Sequence, residues 1–491
     1  MSRVEAEATE SARPTASRIR SAILWRSGSQ IAGQLVMWSS TFLVLRLLTP
    51  SDYGLFAMTQ VVIGLAQLMN GYSFASSLVQ AERLDEERTG QIFGVLIAMN
   101  LAIAVAQFLA APLAAEYFHQ PGLTALLRVQ SLLHLTTPFI IMPQALLARD
   151  IDFRTQGRAN FAAAFVGAVT APACALAGFG VWTLVLAPLA LFTTRAVLLG
   201  LIGRWWVRPR FRLRGAGTLI GFGGTVLVAD ILWFFQNQAD VFIAGRHFDA
   251  HMLGLYSEGL FLTQIVCNKF VPALNDVAFP AYARMQADRV GLASAFARAA
   301  AVIMLCAMPF YAGLAATAGP LVLTVLGPKW GEAAPIVRLL AFAMPFVTLH
   351  ILFSPATNAL GRPGVAARAT AAGAVVLPVA FLIGVRFGPT GMAAAWVTAM
   401  PLLLAVSATL SLPVIGLRAA TLARAVMPPI IAAAVMGGVV VAVDGALPAM
   451  APAARLAFLV PVGVAAYAAL VLLLARPLLT QAITMARGRA G

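Results

Sequence analysis

The chain has 491 residues, of which 60% are hydrophobic and only 11% are charged, whereas an ordinary soluble domain has about 25% charged residues. So few charges cannot cover the surface of a soluble fold of this length, which excludes a soluble enzyme, an extended nucleic-acid binder and a disordered protein. The formal net charge of +15 is therefore interpreted by position, because basic residues accumulate in the cytoplasmic loops of membrane proteins. The composition predicts an all-α polytopic membrane protein.

Apolar segments long enough to cross a bilayer occur about fourteen times along the chain. The predicted spans are 22–47, 53–80, 90–115, 122–147, 158–178, 181–203, 217–244, 252–282, 293–317, 333–360, 365–385, 390–413, 422–442 and 456–475. Loops rich in arginine alternate with loops that hold few basic residues beyond Arg246, Lys329 and Arg386. This alternation keeps its phase from end to end, which predicts an even number of spans with both termini in the cytoplasm.

The longest polar connection lies near the midpoint of the chain, between residues 203 and 217, and combines several arginines with Trp205 and Trp206. This pattern favours a cytoplasmic segment at the level of the lipid headgroups over a nucleic-acid site. The predicted organisation is a cytoplasmic tail, a six-helix lobe, a basic linker, a second six-helix lobe, and two additional helices with a C-terminal tail. The corresponding ranges are 1–20, 21–203, 204–216, 217–413 and 414–491.

A short internal repeat relates the two predicted lobes. Without gaps, Arg46 aligns with Arg246, Gly54 with Gly254, Leu55 with Leu255 and Phe56 with Tyr256, so that each pair is separated by 200 residues. Both segments end an odd-numbered span on the outer side and open the next span. Because an even number of spans separates them, the repeat predicts two parallel bundles related by an axis along the membrane normal, with a central cavity between them.

Ionisable residues inside predicted spans are costly and by default functional. In the eighth span, Glu258, Lys269 and Asp276 are 11 and 7 residues apart, so that at 100° per residue they fall within about 20° of one helix face. Such a face points towards a cavity or a partner helix rather than towards lipid. The first, second and seventh spans also carry polar faces: Arg26, Gln30 and Gln34; Gln60 and Gln67; Asp230 and Asn237. We expect these faces to line one cavity.

Structural interpretations of the same residues stay open. Arg46 and Arg246 can snorkel to lipid phosphate from the outer ends of their spans. Lys269 can form a purely structural ion pair with Glu258 or Asp276, and Asp276 can lie at the cytoplasmic end of its span. Arg128 and Arg195 can bind backbone carbonyls.

Sequence signatures of enzymes and metal sites are absent. The chain contains no P-loop lysine motif, no complete nucleophile elbow and no metalloprotease helix motif. Its five histidines are scattered and its three cysteines lie in apolar stretches, in no metal-ligand spacing. The sequence therefore predicts a protein that is not an enzyme and that has no cofactor or metal, apart from H⁺ or Na⁺ for coupling.

Several motifs in a fixed order carry a family resemblance. Near the start are Leu-Thr-Pro-Ser-Asp-Tyr-Gly-Leu-Phe (48–56) and Gly-Tyr-Ser-Phe-Ala-Ser-Ser-Leu-Val-Gln (71–80). Later motifs are Leu-Ala-Arg-Asp-Ile-Asp-Phe (147–153), Leu-Gly-Leu-Tyr (253–256), Phe-Pro (279–280), Leu-Gly-Pro-Lys-Trp (326–330) and Ala-Leu-Gly-Arg (359–362). From about residue 20 to residue 415 the chain resembles the polysaccharide-transporter, or oligosaccharide flippase, family of the multidrug/oligosaccharidyl-lipid/polysaccharide exporter superfamily.

The resemblance implies two six-helix lobes around a V-shaped cavity, and alternating access that moves polyprenyl-pyrophosphate-linked oligosaccharides from the cytoplasmic to the periplasmic leaflet. It also implies cationic side chains that hold the pyrophosphate, and ion coupling. These implications agree with the need of a multiply charged pyrophosphate for Arg or Lys in a low-dielectric cavity. The family shares no strict motif of site residues, so the candidates below come from the polar faces.

We therefore predict an inner-membrane flippase for exopolysaccharide or lipopolysaccharide assembly. Its partners would be a lipid-linked oligosaccharide, membrane lipids, a polysaccharide polymerase and glycosyltransferases, with no nucleic acid. The candidates for the anionic headgroup are Arg26, Arg46, Arg128, Arg246 and Lys269. The candidates for ion coupling are Asp230, Glu258 and Asp276, and those for sugar hydroxyls are Gln30, Gln34, Gln60, Gln67 and Asn237.

Three rival functions are weighed against this prediction. A multidrug or cation antiporter of the same superfamily would need a cavity dominated by Asp and Glu, whereas the candidate cavity has mixed charges. A membrane-embedded sugar polymerase, ligase or acyltransferase would need positioned acid–base groups, for which no large loop or histidine cluster is found. A non-transporting assembly subunit would leave the intramembrane charges unexplained.

Overall fold

The computed structural model describes residues 33–68, 86–150, 152–202, 207–211, 231 and 234–480, without the side chains of 202, 269–274, 276 and 277. The described residues are helical almost throughout and include no strand. In chain order the helices are α1 (33–47), α2 (Pro50–Gln67), α3 (Glu86–Tyr117), α4 (Leu123–Gln130), α5 (Leu132–Thr136), α6 (Pro138–Arg149), α7 (Phe153–Leu176), α8 (Trp182–Ile202), α9 (234–247), α10 (Ala250–Arg284), α11 (Arg289–Ala316), α12 (Ala318–Val325), α13 (Ala334–Ile351), α14 (Phe353–Ala359), α15 (Pro363–Gly384), α16 (Gly388–Ile415), α17 (Ala419–Ala446) and α18 (Pro452–Leu474).

Nine segments of the described chain are long and apolar enough to cross a membrane, which confirms a multi-pass membrane protein. One of them, Pro363–Ile415, is 53 residues long and comprises both α15 and α16. Fourteen spans were predicted, which is more than the nine segments found in the described chain. The number fourteen and the cytoplasmic position of both termini stay predictions.

Aspartate side chains define the beginnings of three long helices. Asp152 accepts a hydrogen bond from the backbone N–H of Thr155 (3.1 Å) at the start of α7. Asp249 caps α10 and Asp288 caps α11 in the same way. Each carboxylate satisfies a backbone donor that has no partner within its own helix, and its negative charge faces the positive end of the helix dipole.

The fourth predicted span, 122–147, is confirmed as a single membrane segment, Leu123–Arg149, which is divided into three short helices. It consists of α4, α5 and α6, with interruptions at Ser131 and Thr137. The Ser131 hydroxyl donates to the carbonyl of Arg128 (2.7 Å), and Pro138 begins α6 without a backbone N–H. The tenth predicted span is also interrupted, at Leu352 between α13 and α14.

The contacts divide the chain into two compact units. Unit 1 comprises Met1–Thr49 and Met58–Ile231, and unit 2 comprises Pro50–Ala57 and Leu232–Gly491. The first two turns of α2 thus belong to unit 2. The predicted lobe boundaries at 203, 216 and 413 stay predictions.

Each unit has its own hydrophobic core. In unit 1, one cluster joins α3 to α6 through Phe93, Leu96 and Met142. In unit 2, a larger cluster joins α11, α14, α16 and α17, with Phe296 stacked on Phe353 at a ring-centroid distance of 5.4 Å.

The described part of the predicted basic linker, Val207–Phe211, packs against α3 within unit 1. The backbone N–H of Arg210 donates to the carbonyl of Gly90 (2.8 Å), and its guanidinium lies 3.5 Å from the carboxylate of Glu87. A Cβ at Gly90 would lie 2.6 Å from the carbonyl oxygen of Arg208, and a Cβ at Gly94 would overlap the carbonyl oxygen of Arg210. These two glycines therefore make room for the segment.

Candidate functional site

The candidate site begins with the charged face of α10. Residues 250–284 form one helix, so the spacing that places Glu258, Lys269 and Asp276 on one face applies to the folded chain. At a rise of 1.5 Å per residue, Glu258 and Asp276 are about 27 Å apart along the axis, close to the thickness of the bilayer core. These three positions therefore share one face over a large part of α10, a helix that is not among the nine membrane segments found in the described chain.

The opposite face of α10 packs into the core of unit 2. Tyr256, Thr263 and Cys267 are buried there, and Cys267 is 180° from Glu258 around the helix axis at 100° per residue. The Cys267 sulfur lies 3.1 Å from the Tyr311 hydroxyl and 3.2 Å from the Thr348 hydroxyl. Glu258 itself is only half-buried. Its side of the helix is therefore the side opposite the contacts of Cys267.

The repeated segments have the same local structure. The first ends a helix at residue 47 and opens the next at Pro50; the second ends at residue 247 and opens the next at Ala250. Residues 44, 45 and 48 are buried and Arg46 is exposed, and residues 244, 245 and 248 are buried and Arg246 is exposed. The repeat found in the sequence is thus also a repeat of structure over these turns.

Within unit 2 the two repeated segments contact each other at their glycines. A Cβ at Gly54 would overlap the carbonyl oxygen of Ala250, and a Cβ at Gly254 would overlap the carbonyl oxygen of Pro50. The position of the Gly254 Cβ would also lie 3.1 Å from the backbone nitrogen of Gly54. The contact is reciprocal, because Gly54 faces Ala250 and Gly254 faces Pro50, the residue 200 positions before Ala250.

A second contact joins two of the motifs that carry the family resemblance. Tyr53, from the 48–56 motif, packs edge-on against Trp330, from the 326–330 motif, with ring centroids 5.5 Å apart. Trp330 is completely buried and Tyr53 nearly so. The Tyr53 hydroxyl also lies within electrostatic range of Glu258. These contacts fix the beginning of α2 beside the Glu258 end of the charged face.

A buried polar chain in unit 2 was not among the predicted site residues. Trp396 Nε1 donates to the Tyr256 hydroxyl (2.8 Å), and this hydroxyl donates to Oδ2 of Asp240 (2.9 Å). Oδ1 of Asp240 accepts from the backbone N–H of Val241 (2.8 Å). Asp240 is only 1% exposed, so these donors replace the water that a carboxylate requires. An Asp within the apolar seventh span was the available signal.

In unit 1, two intramembrane arginines have identified side-chain neighbours. The Arg128 guanidinium lies over the Phe108 ring, 4.8 Å from its centroid, in cation–π geometry. With its amide oxygen turned towards α8, Gln144 accepts from the Arg195 guanidinium. Nearby, Gln107 bonds both the Leu127 carbonyl and His134, each within 3.0 Å. The contacts found for these two arginines are with side chains, and the carbonyl contacts considered for them stay a prediction.

The predicted site residues are distributed as follows. Arg26, Gln30 and Asp230 lie outside the described residues, as do the side chains of Lys269 and Asp276. In unit 1, Gln34 and Gln60 are half-buried whereas Arg46, Gln67 and Arg128 are exposed; in unit 2, Glu258 is half-buried whereas Asn237 and Arg246 are exposed. Their proposed roles stay predictions. Among the described residues, no group of three His, Cys, Asp or Glu side chains could hold a metal ion.

Two curated relatives match about two thirds of the chain or slightly less. The succinoglycan biosynthesis transport protein ExoT of Rhizobium meliloti is 27% identical over 320 residues, 65% of this chain and 65% of that protein. The lipopolysaccharide biosynthesis protein WzxC of Escherichia coli is 24% identical over 301 residues, 60% of each chain. The matched region thus spans somewhat less than two thirds of these relatives.

Solved structures share the fold at low sequence identity. The lipid II flippase MurJ in an inward closed conformation has a TM-score of 0.75 at 11% identity, covering 93% of this chain and 100% of that chain. An inward-facing multidrug resistance transporter of the MATE family has a TM-score of 0.60 at 14% identity, covering 80% and 98%. Residues 43–335, more than half of the chain, match the family described as polysaccharide biosynthesis protein, and the chain belongs to that family.

Proposed function

We propose that this protein is a flippase that moves a polyprenyl-pyrophosphate-linked oligosaccharide across the bacterial inner membrane by alternating access, and that it has no enzymatic activity. The charged face of α10 carries the proposal, because the sequence places Glu258, Lys269 and Asp276 on one side of a continuous helix, opposite the side that packs against Tyr311 and Thr348. The family match, the relatives named for succinoglycan transport and lipopolysaccharide biosynthesis, and the fold shared with a lipid II flippase support it. The product would enter exopolysaccharide or lipopolysaccharide assembly, with a polymerase and glycosyltransferases as partners.

The proposed division of labour follows the chemistry of the substrate. The headgroup candidates, Lys269 and the four arginines named with it, would neutralise the pyrophosphate, since an unpaired phosphate charge in a low-dielectric cavity is costly. The glutamines and Asn237 would exchange hydrogen bonds with sugar hydroxyls as water leaves. Asp230, Glu258 and Asp276 would titrate or bind a cation and so couple the movement to an ion gradient.

The proposed topology has fourteen spans, two six-helix lobes related as parallel repeats, an additional pair of helices formed by α17 and α18, and both termini in the cytoplasm. The phase of the arginine-rich loops supports this orientation. The local repeat at α1–α2 and α9–α10 supports the relation between the lobes.

A multidrug antiporter is the second candidate function, since a MATE transporter shares the fold. A cation carrier needs an excess of carboxylates at its site, whereas the face of α10 alternates Glu258, Lys269 and Asp276. The cationic Lys269 between two carboxylates favours a substrate with an anionic head.

The deciding experiment measures translocation of a fluorescent lipid-linked oligosaccharide by the full chain in proteoliposomes. We expect wild-type protein to move it, Lys269→Ala to abolish movement and Lys269→Arg to retain a part. Arg368→Gln, on an exposed surface of α15, serves as the matched control and should leave transport unchanged. Efflux of a lipophilic cation, together with no movement of the lipid-linked sugar, would contradict the proposal.

A further inference from the structure

Helices α11, α17 and α18 enclose two grooves that no step of the proposed transport cycle uses. The three helices touch where the Tyr467 hydroxyl donates to the Leu305 carbonyl (2.7 Å) and Leu305, Ala432 and Val471 form a buried cluster, halfway along α17 and towards the end of α18. On either side of this contact the helices separate. The groove towards the beginnings of α11 and α17 has a volume of about 530 Å³, and the groove towards their ends about 560 Å³.

The first groove contains a charge and is called the arginine groove. Its lining includes Ser294, Arg298, Ala301, Thr421, Pro428 and Leu478. Arg298 is the charged residue among the described residues that line it, and it donates to the Ser294 hydroxyl (2.7 Å) while its side chain stays exposed. A long arginine side chain can reach the headgroup level from within the first turns of a membrane helix.

The second groove is the apolar groove, which is lined by residues such as Pro309, Gly313, Met436, Val440 and Gly463. No charged residue is among its lining residues in the described chain. The same three helices therefore form one groove with a cation and one without, which provides an internal comparison.

The surroundings of the arginine groove are basic. Arg289, Arg418, Arg424 and Arg476 lie at the same ends of these helices. The nearby carboxylate of Asp288 is engaged as a helix cap, since it accepts from the backbone N–H of Gly291 (2.9 Å). Arginine-rich ends of membrane helices lie on the cytoplasmic side, where the leaflet contains anionic lipid.

We propose that the arginine groove binds an anionic phospholipid of the cytoplasmic leaflet, with the phosphate at Arg298 and an acyl chain along the apolar walls. The volume lies within the range of about 300–1,000 Å³ that is usual for ligand pockets. An acyl chain gains little from leaving the surrounding lipid, because lipid tails are as apolar as the groove. Selectivity therefore comes from charge, and basic pockets between membrane helices on this side are suited to anionic headgroups.

The test uses native mass spectrometry of the full chain, purified in detergent and supplied with phosphatidylglycerol or with phosphatidylcholine of the same acyl chains. We expect wild-type protein to retain phosphatidylglycerol about fivefold better, the effect of one arginine near an anionic headgroup. Arg298→Gln should remove this preference and Arg298→Lys should keep most of it. Arg368→Gln, the matched control on α15, should behave as wild type.

A second pair of variants tests the place of the acyl chain. Ala425→Phe, at a half-buried position in the arginine groove, should lower retention of phosphatidylglycerol, whereas Val464→Phe, in the apolar groove, should not. The proposal is wrong if wild-type protein retains both lipids equally or if Arg298→Gln keeps the preference. It is also wrong if polyprenyl phosphate displaces phosphatidylglycerol, because the groove would then belong to the carrier lipid. None of these results depends on whether the protein transports.

Discussion

Gly54 and Gly254 form a reciprocal contact between the beginnings of α2 and α10, in which each Cα faces a backbone carbonyl of the other helix. Any side chain at either position would occupy the place of that carbonyl oxygen. Both helices open with the same turn, 200 residues apart in the sequence. The internal repeat thus has a structural cause at these positions, namely the close approach of two backbones that only glycine permits.

Gly54→Ala and Gly254→Ala should each destabilise the protein, although alanine is the better helix former by about 1 kcal/mol. Overpacking of a close contact typically costs about 1–3 kcal/mol, and here the obstacle is a backbone carbonyl that cannot rotate away. Thermal unfolding of the purified protein measures the effect. Gly200→Ala, in α8 with nothing within 4 Å of the added Cβ, should be neutral or slightly stabilising. Unchanged unfolding temperatures for all three variants would contradict the contact.

Patterns with short periods were sufficient to predict much of this fold. Hydropathy identified the nine membrane segments of the described chain. The 11- and 7-residue spacing placed Glu258, Lys269 and Asp276 on one face of a helix that the structure describes as continuous. The interruptions at Ser131 and Leu352 were not predicted, because the flanking residues stay apolar and average hydropathy does not register a local change in helix geometry. The Asp240–Tyr256–Trp396 chain was not predicted either, because Trp396 lies 140 residues beyond Tyr256 in the sequence.

Tyr256→Phe should destabilise unit 2, because it leaves Asp240 without one donor and Trp396 Nε1 without an acceptor in a buried site. The expected cost is about 1–3 kcal/mol for buried groups that lose a partner. Tyr282→Phe is the matched control, since this tyrosine is also buried and no hydrogen bond of its hydroxyl is found among the described residues. If the Tyr256 and Tyr282 variants unfold at the same temperature, the chain does not contribute to stability.

Gly94→Val should release the segment Val207–Phe211 from α3. The added side chain would occupy the position of the Arg210 carbonyl, while the Arg210–Glu87 ion pair is half-exposed and weak. Limited proteolysis of the purified protein with trypsin, which cleaves after Arg210 but not between Arg208 and Pro209, measures the release. We expect faster cleavage after Arg210 than in wild type. Gly122→Ala, with nothing near its Cβ, should leave the rate unchanged, and equal rates in all proteins would show that the glycine contact does not hold the segment.

Glu258→Gln should change how transport depends on the ion gradient, because the amide keeps the shape of the side chain and cannot bind a proton or a cation in its place. In proteoliposomes with and without an imposed gradient, we expect the stimulation by the gradient to be reduced at least in part. Glu116→Gln, an exposed residue of α3, controls for the loss of one negative charge. Unchanged stimulation in Glu258→Gln would assign Glu258 to a structural pair.

Thiol labelling can establish whether the charged face of α10 meets water. The background variant replaces Cys174, Cys267 and Cys306. Single cysteines are then introduced at residue 265, on the face of Glu258, or at residue 263, which is buried against the core. Each variant is treated with a charged thiol reagent in intact vesicles. Only a thiol in contact with water ionises and reacts readily, so we expect rapid labelling at residue 265 and little at residue 263. Substrate added before the reagent should slow labelling at residue 265 if the headgroup occupies this face. Equal, slow labelling at both positions would place the charged face against lipid or protein and remove its role in substrate binding.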